Sequence, residues 1–108
     1  MPRMRRPFAL LLAVPLLAAS ASLAAQGPVR PAKLGQCVAC HGVDGRGRAS
    51  GIPHLAGQDN QYLVTALLAY RGGQRRHPLM NSIANTLQPR DIQSLAQWYS
   101  RQPAVGAR

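Results

Sequence analysis

The sequence predicts an all-α domain, small and rich in loops, and three observations lead there. No run of residues alternates apolar and polar as a half-buried strand would. Two segments, 59–71 and 88–100, place apolar side chains at helical spacing between a start signal and a stop signal. The seventeen residues of 42–58 hold five glycines and a proline, a composition that fits an irregular loop and neither regular element.

Taken in order, residues 1–24 have the three-part build of a secretory signal peptide. Arg3, Arg5 and Arg6 form a basic start, residues 8–19 an uncharged Leu-rich run, and small residues follow. Cleavage is expected near 21–25, after Ala21 or after Ala24. The apolar run is short for a membrane span, although the absence of charge up to Arg30 leaves an uncleaved anchor as the other reading. No cysteine follows the small residues, so a lipid anchor is not expected.

Residues 25–33 read as a flexible, Pro-rich segment, and a folded domain is expected over 34–102. Pro31 suits the first turn of a short helix that runs through Ala32, Leu34 and Gln36 into the two cysteines. After the glycine-rich loop, Asp59 is placed as an N-cap, Leu63, Ala66, Leu67 and Tyr70 share one face, and Gly72 and Gly73 stop the helix. Residues 74–87 read as a mostly extended or turn-like connector with one helical turn near Ile83. The run QPRD at 88–91 opens the last helix, whose apolar face is Ile92, Leu95, Ala96 and Tyr99. Pro103 lies just past its end, and 103–108 form a tail.

Removing 24 residues from 108 leaves 84, near the size at which a side-chain core alone gives marginal stability. Setting aside Arg3, Arg5 and Arg6 takes the formal charge from +10 to +7, with Asp44, Asp59 and Asp91 as the only acidic side chains and no Glu. That balance suits a partner with an acidic face, an anionic membrane surface or nucleic acid. Export and the scattered placement of the basic residues, with no regular aromatic interleaving, argue against nucleic acid.

The chemistry sits in CVACH at 37–41, which contains both cysteines of the chain. A disulfide closing so short a step would constrain the unfolded chain little. A zinc site needs four ligands, and after His54 the next histidine is His77, far beyond the spacing of a zinc finger. A thiol oxidoreductase would need a βαβ setting, and no strand is expected. The remaining reading uses every residue: C-x-x-C-H is the attachment signature of a c-type haem. It assigns Cys37 and Cys40 to thioether bonds with the two vinyl groups and His41 to the iron. A large apolar disc fixed to the chain would also supply the missing core. For a sixth iron ligand the candidates are Met80, the single methionine left after signal removal, and the rivals His54 and His77.

The segments CVACHG and DG at 37–45, GIPHLAGQDNQYLVTALLAYRGGQRRHPLMNSIANTL at 51–87 and DIQSLAQWY at 91–99 together resemble a class I c-type cytochrome, nearest the small periplasmic bacterial carriers of the c-four and c-five type. The resemblance covers roughly residues 34–100. It implies short helices around one covalently bound haem c, with His41 and Met80 as axial ligands. It further implies that the carbonyl of Pro53 accepts a hydrogen bond from the ring nitrogen of His41 that faces away from the iron. Relatives often have a longer first helix crossing the last one. Pro28 and Pro31 shorten it here, which leaves open whether Leu34 reaches the face of 92–99.

Arg71, Arg75 and Arg76 are candidates to pair with a haem propionate, with a solvated basic face as the other reading. Tyr62, Tyr70, Trp98 and Tyr99 read as core and haem packing.

The function these readings point to is a periplasmic electron-transfer protein, not an enzyme, that moves single electrons on its haem. The partners expected are periplasmic or membrane redox proteins with an acidic docking face, such as a terminal oxidase, a quinol-oxidising complex or a dehydrogenase. Membrane contact is expected to be peripheral unless the signal stays uncleaved. A haem enzyme or gas sensor would need an open iron position, which a Met80 ligand closes. A haem-bearing small subunit of a periplasmic dehydrogenase complex is the alternative function.

Overall fold

The structure, a computed structural model, describes residues 1–17 and 28–106. The expected cleavage region at 21–25 lies outside the described residues. Residues 1–17 are irregular and exposed. Among the described residues no helix is long and apolar enough to cross a membrane.

The described residues form four helices: α1 (Gly35–His41), α2 (Asn60–Gly72), α3 (Pro78–Asn85) and α4 (Pro89–Ser100). No strand occurs among the described residues. Pro31 is buried and its carbonyl accepts from Leu34 N (3.1 Å), so a turn precedes α1, which begins only at Gly35. Helix α2 starts where the sequence placed it, with the Asp59 carboxylate accepting from Tyr62 N at 2.8 Å. It stops at Gly73, whose φ of +80° favours a residue without Cβ. Helix α4 opens on a cap made by its third residue: Asp91 Oδ2 accepts from Gln88 N at 2.8 Å, while Asp91 N donates to the Gln88 carbonyl at 2.9 Å.

Helix α3 corrects the reading of residues 74–87 as a mostly extended or turn-like connector. His77, in extended geometry, acts as its N-cap and accepts from Met80 N through Nδ1 (3.4 Å), with Pro78 in the first turn. A histidine cap is not one of the usual start residues, and the helix is only eight residues long.

The core is small. Leu34, Leu63, Val64, Leu87, Ile92, Leu95, Ala96 and Tyr99 form one buried cluster, which brings the segment before α1 onto the inner face of α4. Leu34 at 2% exposure settles that contact: it packs within the cluster that contains Ile92, Leu95 and Tyr99. Two long-range bonds fasten α4 to the chain just after α1. Tyr99 Oη donates to Gly42 O at 2.9 Å, and Trp98 Nε1 donates to Val43 O at 2.8 Å.

Candidate functional site

Helix α1 is about two turns that bring Cys37, Cys40 and His41 to the wall of a cavity of about 380 Å³. The remaining wall is mostly apolar: Leu55, Leu63, Leu67, Ile83 and Leu95 contribute from the loop, α2, α3 and α4. Met80 borders the same cavity from α3, and Pro53 from the loop. All five residues singled out from the sequence therefore converge on one space.

The geometry at His41 comes from the glycine-rich loop. Arg48 N donates to Cys40 O (2.8 Å), and Leu55 and Ala56 N donate to Gly45 O (2.7 and 3.1 Å), folding the loop back on the end of α1. Gly45 has φ +78°, and a Cβ there would stand 2.6 Å from Ala56 N. A Cβ on Gly47 would collide with the Ile52 carbonyl. Space kept at these two positions lets the Pro53 carbonyl approach the imidazole, and His41 Nδ1 donates to it at 2.9 Å. A carbonyl can only accept, so Nδ1 holds the ring proton and Nε2 keeps its lone pair for another partner. The ring is buried.

Both thiols are free. Burial pushes the Cys37 thiol up to about 11, so the unbonded thiol is neutral at ordinary pH. The two rival histidines are occupied by backbone. His54 Nδ1 accepts from Gly47 N (2.9 Å) and does not border the cavity, while His77 borders it with Nδ1 turned to Met80 N. Of the three arginines only Arg75 borders the cavity. Its guanidinium lies 4.8 Å from the Tyr70 ring centre, and Nη1 is 3.5 Å from Tyr62 Oη. Arg71 and Arg76 line a shallow groove next to it.

The sequence reading did not find the bonds from Trp98 and Tyr99 to the chain behind His41. Their partners are backbone carbonyls 55 and 57 residues away, which no local pattern announces. It also passed over Asn81, whose side chain bonds three backbone groups.

An apolar cavity fits a large, flat, mostly hydrocarbon group. Two thiols on one helical turn suit its covalent attachment, and an imidazole with Nε2 free and a thioether suit an iron at its centre. Four short helices around such a site define a class I c-type cytochrome, an electron-transfer protein with covalently bound haem c. The chain belongs to the cytochrome c family, whose model matches residues 32–102. Cytochrome c-554(548) of Halomonas halodenitrificans is 47% identical over 73 residues, covering 65% of this chain and 88% of that protein. The thiosulfate dehydrogenase electron acceptor of Thiomonas intermedia is 39% identical over 85 residues, covering 78% of this chain and 37% of that protein. A solved structure of cytochrome c4 from Acidithiobacillus ferrooxidans superposes with a TM-score of 0.57 at 37% identity, over 60% of this chain and 37% of that one. The chain thus spans most of the first relative and little more than a third of the other two.

Proposed function

We propose that the chain is an exported, periplasmic carrier of single electrons, and that it does not itself transform a substrate. When bound, the haem supplies an iron that cycles between ferrous and ferric states. Cys37 and Cys40 would hold it by thioether bonds, and His41 and Met80 would bind its iron. Pro53 fixes the imidazole through its carbonyl and makes it a stronger donor. The observation that carries this reading is the convergence of these five residues on one apolar cavity. Residues 1–24 are proposed as the export signal. The test is the absorption spectrum of the reduced protein isolated from the periplasm, with haem surviving a denaturing gel. A protein without bound haem would refute the reading.

Arg75 is the arginine best placed for a propionate, because it alone of the three borders the cavity and two tyrosines brace it. Of the cavity's lining, Leu79 and Tyr62 are half exposed, and Arg71 and Arg76 line the groove that shares Tyr70 and His77 with the cavity. None of the three aspartates borders either hollow. An apolar patch beside unopposed basic side chains suits a redox protein with an acidic docking face. A dehydrogenase is favoured as donor by the relative whose name is thiosulfate dehydrogenase electron acceptor. Standing association with such an enzyme, as its haem-bearing small subunit, would appear as co-purification from unwashed periplasm. A terminal oxidase or quinol-oxidising complex is the corresponding class of acceptor.

A further inference from the structure

Asn81 follows the proposed ligand Met80, and the hydrogen bonds of its side chain all go to the segment that leads into α3. Nδ2 donates to Tyr70 O at 2.8 Å and to Arg75 O at 2.9 Å, and Oδ1 accepts from His77 N at 2.8 Å. One amide therefore ties together the last turn of α2, the turn after it and the N-cap of α3.

Apolar packing does not do this job. Residues 71–79 are all exposed, and the buried residue of α3 is Ala84, near its far end. The C-terminal end of α3 is thus anchored in the core by Ala84 and, just beyond it, Leu87, while its first turn, which bears Met80, hangs on polar contacts. Apart from Asn81, the cap at that turn is the long 3.4 Å bond from Met80 N to His77. An amide with both its donors and its acceptor used is a more exacting constraint than a turn residue needs.

We propose that Asn81 is a positioning residue for Met80: by closing segment 70–77 onto the first turn of α3, it holds the thioether at the iron. This rests on the reading of Met80 as the sixth ligand. A ligand that competes for that position binds with an apparent affinity set by the fraction of molecules in which Met80 is away. Loosening the clamp should raise that fraction without touching the haem.

The experiment compares holoproteins, each with covalent haem verified on a denaturing gel, by carbon monoxide affinity of the ferrous form and by midpoint potential. Met80→Ala marks the fully open position. Asn81→Ala is expected to raise carbon monoxide affinity at least tenfold over wild type and to move the potential in the same direction as Met80→Ala. Asn81→Asp keeps the acceptor for His77 and replaces both donated bonds by repulsion, so it should behave alike if Asn81→Ala folds poorly. Asp91→Ala, which loses the bond from Gln88 N at the start of α4 and does not border the cavity, should lower the melting temperature with neither effect. If the Asn81 variants lose thermal stability while carbon monoxide affinity and potential stay at wild-type values, the residue is only structural and the proposal is overturned. If Met80→Ala itself changes neither quantity, the ligand assignment falls first, and the proposal with it.

Discussion

His41 donates its ring proton to the carbonyl oxygen of Pro53, 2.9 Å away and twelve residues along the chain. The acceptor is backbone, so no side-chain change at residue 53 removes it. The glycines that let the loop approach are the handle.

Gly47→Ala should disturb this contact, because its Cβ would meet the carbonyl of Ile52, the residue before Pro53. Overpacking of this kind costs about 1–3 kcal/mol. An imidazole that loses its acceptor becomes a weaker donor and stabilises ferric iron less, so the midpoint potential should rise. Spectroelectrochemistry together with thermal melting checks both effects.

Met80→His should lower the potential by a visible part of the roughly 0.8 V over which axial ligands spread haem proteins. Haem attachment and helix content should be retained. A potential that does not move would mean that the thioether is not at the iron.

Tyr99→Phe removes the donor to Gly42 O (2.9 Å), leaving that carbonyl the longer bond from Gly45 N (3.3 Å). The loss is expected near the low end for a buried hydrogen bond, about 1 kcal/mol. At about 4–8 °C per kcal/mol for a domain this small, the melting temperature should show it. Burial raises the Tyr99 hydroxyl above its ordinary value of 10.0, so the unfolded chain gives up the proton first. The tyrosine's contribution is therefore complete below pH 10.0 and shrinks as pH rises beyond it, and the gap between wild type and variant should narrow in alkaline melts.

Replacing Arg71 and Arg76 together by Gln should slow electron transfer to an acidic partner, and rates for the wild type should fall as salt rises. Screening acts over a Debye length of about 8 Å at physiological ionic strength. Stopped-flow rates across a salt series decide it, and a flat profile would place the docking face elsewhere.

Replacing Cys37 and Cys40 together by Ala should abolish covalent haem and leave a chain with little helix by circular dichroism. Among the described residues the buried core cluster is eight side chains, too few to hold the domain without the ring.

The elements that were legible in the sequence are those whose signals are local. Asp59 and Asp91 cap α2 and α4 in the structure, and Leu63, Ile92, Leu95, Ala96 and Tyr99 face the core as their spacing suggested, while Ala66 and Tyr70 border the cavity and Val64, off the expected face, is buried in the core. The C-x-x-C-H run is likewise local and was enough to locate the site. Helix α3 was missed because arginines, a histidine and a proline read as turn chemistry, and a histidine can cap only when the fold holds it extended. Pro53 was reached through family resemblance, since its role belongs to a carbonyl and leaves no mark on residue type. The Asn81 bonds and the bonds of Trp98 and Tyr99 depend on where the chain returns in space, which spacing alone does not encode.

The ties from Trp98 and Tyr99 to Val43 and Gly42 also set an order of events in time. In a chain delivered N-terminus first, residues 37–41 arrive well ahead of the last helix. Until residues 98 and 99 appear, the bonds to Val43 and Gly42 cannot form, and the stretch behind His41 is held by the glycine-rich loop alone. Pairings this distant in sequence close late because their loop must be shut before they contribute anything. The fold thus contains its own delay, in which loading comes before locking, and a chain ending short of Trp98 could accept its cofactor and never close over it.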